Sequence, residues 1–526
     1  MAIGTNTGLS TRPAPGDPPS AARRRLTRRW EPPIEVVVFI VGSASLGTEI
    51  AVARLIAPFY GASNLVWANT IAVVLVALSI GYWVGGRLAD RWQTMASLAS
   101  LITVAAVLLG VVPFAAEPFL RLSGRAFSSL SIGIFAGSLA SLLALVALPL
   151  LLVGAVTPWA LRLKLADLRD AGRTAGRLSA IGTAGALVGT FAASLVLVPY
   201  AGTRETFLIF ALSLGLVAAP ALPRRAAIVA VALVVALLLP QGLIKPAAAG
   251  ERVLYETETR YQYAQVVQTG DGTRYLELNE GQAEHSVYRP HTVLTGGYWD
   301  SLLTLPFAAL GHAPRSMAVL GNAAGTVDRA YAHYFPATPI DAVEIDPALT
   351  QIGIRWFGMQ RRPQLHLITA DARPFLRTTD HRYDTIVVDA YRQPYIPFYL
   401  TTTEFFALVR DHLEPGGVVI VNVGQPDGQH ALEKVMAATM STAFPTVRRD
   451  PVTASNTMLV GSAGPITASR LTGPAVPADL RAQSATEAAS LGAPLGGGQV
   501  YTDDKAPIEQ LIDRSLLNYA TAPGKH

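Results

Sequence analysis

Seven apolar runs, each about 20 residues long, fall at residues 34 to 58, 65 to 88, 95 to 117, 131 to 157, 178 to 199, 204 to 222 and 226 to 244. A helix needs that length to cross the hydrocarbon core of a bilayer, where every backbone polar group must find its partner inside the segment. No comparable run follows Lys245. The first half therefore reads as a transmembrane helical bundle of about seven spans over residues 33 to 245, and its expected neighbour is the lipid of a cell membrane. The preceding residues 1 to 32 are rich in Pro, Thr, Ser and Arg, have nothing to bury, and are expected to be disordered.

The basic residues are distributed unevenly among the loops. Arg23, Arg24, Arg25, Arg28 and Arg29 precede the first run, and Arg87, Arg91, Arg162, Lys164, Arg169, Arg173, Arg177, Arg224 and Arg225 lie in alternate loops. The opposite loops hold only Arg121, Arg125 and Arg204. By the positive-inside rule the arginine-rich face is cytoplasmic. The formal charge of +5 is thus a topology signal, and no nucleic-acid partner is expected. Twin arginines before an apolar run resemble an export signal, but this run is too long for one and is expected to remain as the first helix. The absence of cysteine excludes disulfides, thiolate metal sites and a thiol nucleophile, and no metal set is expected.

Within the spans, Glu49 is costly to ionise and fits either an ion pair with another helix or a polar binding site. Gly81 with Gly85, and Gly185 with Gly189, have the small-xxx-small spacing that lets helix backbones approach closely.

After Lys245 the apolar blocks give way to alternating patterns. Residues 253 to 279 read as short strands with a turn at Asp271-Gly272. Strand candidates then follow at Met317 to Leu320, Ile340 to Glu344, Leu365 to Thr369, Thr385 to Val388 and Val418 to Val421, with helical patterns between them. That alternation predicts an α/β Rossmann-like, methyltransferase-type doubly wound sheet, with a small β region over 251 to 285 and the core over 286 to 526.

Ligands in such sheets bind at the carboxyl ends of the strands. The first strand runs into Gly321-Asn322-Ala323-Ala324-Gly325-Thr326, small residues that admit a ligand close to backbone at a helix N-terminus. The second ends on Glu344, placed to accept both hydroxyls of a ribose. Asp371 and Asp389 follow the third and fourth. Each alone is weak evidence, since a strand-end Asp often only caps the next helix. Together they predict a nucleoside site.

Tyr261-Gln262, the loop 321 to 326, Val343-Glu344-Ile345-Asp346, Asp371-Ala372, Val388-Asp389, Leu400 to Phe406 and Thr502 to Glu509 resemble the spermidine synthases, or polyamine aminopropyltransferases. Glu49, Arg54, Pro58, Gly61, Trp67 and Gly81 to Arg91 look like the bacterial form fused to a multi-spanning membrane region. The resemblance implies an aminopropyltransferase that uses decarboxylated S-adenosylmethionine as co-substrate, a polyamine such as putrescine as acceptor, and no prosthetic group. It implies Asp389 as the catalytic carboxylate. Gln262, Gly321, Ala323, Gly325, Glu344, Asp371 and Ala372 would bind the donor, and Tyr391 with Glu280 or Glu284 the amine.

Two departures accompany the resemblance. Ala324 stands where the family carries an aspartate for the donor's amine, and the segment Leu278 to His285 replaces the usual acidic pair. A methyltransferase using ordinary S-adenosylmethionine is a second reading, and a membrane transporter or sensor that binds a polyamine or nucleoside is a third. Homo-oligomers occur within the expectation. Seven spans from an inside N-terminus place the soluble half outside the cell, whereas cytosolic adenosylated donors require it in the cytoplasm, the side favoured on chemical grounds.

Overall fold

A computed structural model of the chain describes residues 32–521 apart from 62, 128–132, 166–169, 241, 280, 282 and 392–394. The N-terminal segment expected to be disordered, apart from residue 32, lies outside the described residues, as does Glu280. The first half is helical: α1 Ile34–Tyr60, α2 Asn64–Arg91, α3 Met95–Phe127, α4 Gly133–Leu145, α5 Ala147–Lys164, α6 Ala171–Ala192, a π-helical turn Ala193–Leu197, α7 Val198–Tyr200, α8 Thr203–Ala218 and α9 Pro223–Leu238. Five helical stretches among the described residues are long and apolar enough to cross a membrane: Ile34–Tyr60, Asn64–Arg91, Met95–Ser123, Ala147–Lys164 and Ala171–Tyr200. The 27 residues of α1 span about 40 Å.

The long run at 131 to 157 forms two helices, broken at Val146. Pro149 explains the break, because it supplies no N–H to the carbonyl of Leu145 and its ring crowds that carbonyl. Asn69, early in α2, donates to Ser138 Oγ at 2.9 Å, and the Trp159 indole of α5 donates to the carbonyl of Trp92, just past the end of α2, at 3.1 Å. The α4–α5 pair thus runs once, kinked, parallel to α2.

The glycine pairs sit where helix backbones touch. A methyl group at Gly81 or Gly85 would overlap the carbonyl oxygens of Leu151 or Ala155 in α5, and one at Gly185 or Gly189 those of Phe39 or Ser43 in α1. Backbone cannot step aside as a side chain can, so Gly85→Leu and Gly189→Val should each cost about 1–3 kcal/mol. The expected result is a melting temperature in detergent lower by several degrees. An unchanged melt for both variants would contradict this packing.

The second half opens with an antiparallel sheet of β1 Glu251–Glu258, β2 Tyr263–Thr269, β3 Arg274–Leu278 and β4 Glu284–Tyr288. The turn between β2 and β3 is the one expected: Gly272 has φ 85, and Asp271 accepts from the Thr273 N–H at 3.0 Å. The main sheet contains β5 Met317–Leu320, β6 Ile340–Glu344, β7 Leu365–Thr369, β8 Tyr383–Val388, β9 Leu413–Gly424, β10 Thr446–Pro451 and β11 Asn456–Ser462. Its order is β10-β11-β9-β8-β5-β6-β7, with β7, β6, β5, β8 and β9 parallel and the β10–β11 hairpin antiparallel at one edge. That hairpin is absent from the strand pattern read in the sequence.

Successive residues of β5 face opposite cores: Met317 and Val319 join the cluster containing Phe307, Tyr331 and Ile420, whereas Ala318 and Leu320 join the one containing Phe375, Phe406 and Phe444. Helices therefore cover both faces. The covering helices include α10 Pro306–Leu310, α11 Thr326–Tyr334, α12 Pro347–Trp356, α13 Ala372–Thr378 and α14 Thr403–Asp411, of which α11, α12 and α13 follow the carboxyl ends of β5, β6 and β7. The chain leaves β5 toward β6 on one side, while β8 pairs with its other edge. The topological switch point lies between β5 and β8, where open α/β sheets form their binding crevice.

Candidate functional site

Gly321 and Asp389 leave β5 and β8 side by side at that switch point. The Asp389 N–H donates to Leu320 O at 2.9 Å, and a Cβ on Gly321 would stand 2.6 Å from Ala390 Cα. Gly321 also has φ 92, so a side chain is excluded both by conformation and by space. Ala323 adopts φ 46, uncommon for a residue with a Cβ, and its N–H donates to Glu344 Oε2 at 2.8 Å. The other oxygen of Glu344 accepts the Asp346 N–H at 2.9 Å. Glu344 thereby fixes the loop after β5 from the end of β6. Burial pushes its carboxyl up to about 7, against the pull of these hydrogen bonds.

Asp389 is part-exposed at the floor of the crevice. Asn422 of β9 donates to its Oδ1 at 2.8 Å and the Tyr298 hydroxyl to its Oδ2 at 2.9 Å. Burial raises this carboxyl to about 7 although both donors favour the ionised form. Its side chain makes no helix-capping bond among the described residues, so the cap reading of a strand-end Asp does not apply here. It does apply to Asp371, which accepts the Arg373 N–H at 3.1 Å as the N-cap of α13 while also accepting the Tyr399 hydroxyl at 2.6 Å.

The three tyrosines after Asp389 separate. Tyr391 lines the crevice, and its hydroxyl is held between Asn422 O at 3.0 Å and the Gly424 N–H at 2.6 Å. Tyr399 lines the crevice beside Asp371, while Tyr395 is buried and turns to Asp513. Thr402 caps α14, accepting from the Phe405 N–H at 3.3 Å. The closing segment braces this region: Asp503 accepts two bonds from Arg373, at 2.8 and 2.6 Å, and one from Thr402 at 2.8 Å.

One cavity of about 510 Å³ joins these groups. Gln262, Gly321, Ala323, Glu344, Asp371, Ala372, Asp389 and Tyr391 all line it. Gly325 does not. It caps α11 at φ 78 and packs against Met359. Glu284 is also elsewhere, at the start of β4, where partial desolvation by its surroundings and the neighbouring Glu277 raise its carboxyl. Ala324 is fully buried, with its N–H donating to Ser286 Oγ at 3.0 Å.

Sequence reasoning missed Tyr298 and Asn422. A signal for the second existed, since Asn422 interrupts the apolar run of β9. It also missed His285 and the residues that the helical half lends to the cavity: Ile50, Ala53, Arg54 and Ala57 of α1, Trp67 of α2, Ser194 of the π-helical turn and Val198.

Residues 298–464 match the family described as spermine/spermidine synthase domain. The chain is 37% identical over 191 residues to a probable polyamine aminopropyl transferase of Bifidobacterium longum, covering 36% of this chain and 42% of that one. A polyamine aminopropyltransferase of Mycobacterium tuberculosis is 29% identical over 313 residues, covering 52% and 57%. Polyamine aminopropyltransferase 1 of Ralstonia nicotianae is 24% identical over 450 residues, covering 78% of this chain and 80% of its own. The chain thus spans less than two thirds of the length of the first two relatives. Among solved structures, a probable spermidine synthase from Corynebacterium glutamicum covers 48% of this chain and 98% of its own, with 21% identity and a TM-score of 0.36.

Proposed function

We propose that the spermine/spermidine synthase domain carried by this chain transfers an aminopropyl group from decarboxylated S-adenosylmethionine to an amine acceptor such as putrescine, at the crevice between β5 and β8. The observation that supports this most is the convergence of Asp389, Glu344 and Asp371 on one cavity beside the small-residue loop. A protonated amine has no lone pair, so attack requires a proton acceptor close to the reacting carbon. Asp389, with a carboxyl raised to about 7, is present in both forms near neutrality and is suited to take that proton. The amine nitrogen then bonds to the carbon beside the sulfonium. That carbon–sulfur bond breaks, its electron pair stays on sulfur, and methylthioadenosine leaves as a neutral thioether. Tyr298 and Asn422 hold the carboxylate in one orientation, and the ring of Tyr391 supplies an apolar wall for methylene groups. In this reading Glu344 binds the ribose, Asp371 and Ala372 the adenine, and Gln262 the donor near its sulfonium.

The helical half makes the chain a multi-pass membrane protein in this reading. Incubating the full chain in detergent with decarboxylated S-adenosylmethionine and a series of amines should release methylthioadenosine. Release of S-adenosylhomocysteine from ordinary S-adenosylmethionine would establish methyl transfer in its place. No product from any pair would end the enzyme reading.

A second reading, a sensor or transport domain that binds a nucleoside or polyamine outside the cell, is favoured by how the halves meet. The soluble domain docks on the ends of α1, α2 and α8: Arg54 donates to the Arg260 carbonyl, Asn64 to the Glu509 carboxylate, and the Thr203 N–H to Glu258 at 2.6 Å. The other end of the bundle carries Arg91, Arg162, Lys164, Arg173 and Arg177, with Glu35 facing Lys164 and Arg177 at 3.2 and 3.5 Å. The positive-inside rule assigns that end to the cytoplasm. The aminopropyl reading requires the domain on the cytoplasmic side. A C-terminal reporter active only inside supports the enzyme, and one active only outside supports the sensor.

A further inference from the structure

The cavity that holds Asp389 and Glu344 is not enclosed by the soluble domain alone. Its remaining wall is the first membrane helix and its neighbours, through Ile50, Ala53, Arg54, Ala57, Trp67 and Val198. Arg54 is the charged member of this wall. Its guanidinium donates to the carbonyl of Arg260, in the turn between β1 and β2 that carries Gln262. That turn is folded around Thr259, whose hydroxyl accepts the N–H groups of Tyr261 and Gln262, each at 3.0 Å, and donates to Asp346 Oδ2 at 2.5 Å. Asp346 in turn caps α12 and gives its own N–H to Glu344. A chain of contacts therefore runs from α1 through Arg260, Thr259 and Asp346 to the carboxylate at the end of β6. The positive charge of Arg54 also acts on Glu258 and Asp346, lowering the cost of their burial.

We infer that the membrane half is a working part of the ligand site, with Arg54 as a positioning residue that holds the 259–262 turn, and through it Gln262 and Glu344, in place. The consequence for affinity rests on the nucleoside reading of the cavity. The contact itself does not. A merely structural Arg54 would alter melting of the bundle and leave the turn and the ligand affinity unaffected.

The test compares the full chain in detergent with its Arg54→Gln and Arg54→Lys variants. Hydrogen exchange at the amides of Tyr261 and Gln262 should accelerate in Arg54→Gln, because the turn loses its anchor, and should recover in part in Arg54→Lys, which keeps the charge and a donor. Methylthioadenosine should bind about fivefold more weakly to Arg54→Gln, which corresponds to about 1 kcal/mol, without a matching fall in melting temperature. The chain has no native cysteine, so Ala53→Cys offers a single label on the wall of the cavity, and methylthioadenosine should slow its reaction with a water-soluble maleimide. Unchanged exchange at Tyr261 and Gln262 in Arg54→Gln would overturn the positioning role whether or not the ligand binds. Accelerated exchange in a chain that never binds methylthioadenosine would uphold the role of Arg54 and defeat the nucleoside reading. Ligand binding with no protection of the label at residue 53 would remove the bundle from the site.

Discussion

Replacing Asp389 by Asn is expected to lower turnover by a factor of about 10² to 10⁴, the range lost with an acid–base group, while methylthioadenosine binding stays within about twofold of the unaltered chain. The substitution keeps the size of the side chain but removes the charge and the capacity to take a proton from the amine. Because the carboxyl is raised from 3.8 to about 7, activity of the unaltered chain should climb with pH through about 7 on its acid limb. Stability should move the other way. A carboxyl whose pKa is higher folded than unfolded contributes most to stability below the unfolded value, and that contribution is lost as pH rises from 3.8 through about 7. Asp389→Asn carries no charge at any pH, so its melting temperature should exceed that of the unaltered chain at pH 8. A variant that keeps its turnover, or that melts lower at pH 8, would make Asp389 a structural residue.

Truncating Glu344 to Ala should weaken methylthioadenosine binding by more than tenfold, equivalent to about 1.4 kcal/mol. Two effects add. On the nucleoside reading the ribose loses its carboxylate acceptor, and the N–H groups of Ala323 and Asp346, now bonded to Glu344 at 2.8 and 2.9 Å, lose the group that holds the loop after β5 in its positive-φ conformation. Calorimetry on the full chain in detergent measures this directly. An unchanged affinity would remove Glu344 from the ligand site, and loss of the folded domain would make its role one of support.

Much of the C-terminal fold was legible because its signals are local. Met317 to Leu320, Ile340 to Glu344 and Leu365 to Thr369 are strands with the bounds that the strand–helix alternation suggested, and helical patterns between them imply parallel crossovers. The β10–β11 hairpin was not legible. Its first strand, Thr446–Pro451, holds three charged residues at an edge of the sheet, and an edge strand has only one hydrogen-bonded neighbour and needs less apolar sequence. The strand-end residues Glu344, Asp371 and Asp389 were legible as a set because parallel strands bring their carboxyl ends to one side. Which of them caps a helix was not, since Asp371 and Asp389 look alike in sequence and differ only in what surrounds them.

What the sequence determined by itself was therefore whatever depends on period and position along the chain: apolar runs of bilayer length, small-xxx-small glycine pairs, the βα alternation, and acidic residues at strand ends. Tertiary structure alone decided the surroundings of those residues. Asp389 receives Tyr298 from 91 residues upstream and Asn422 from 33 downstream, and Arg54 reaches Arg260 across 206 residues. Separations of that size leave no periodic trace in the chain. They are set by strand order and by the docking of the C-terminal half on the helical bundle, which together place a residue of α1 in the wall of the same cavity as Asp389.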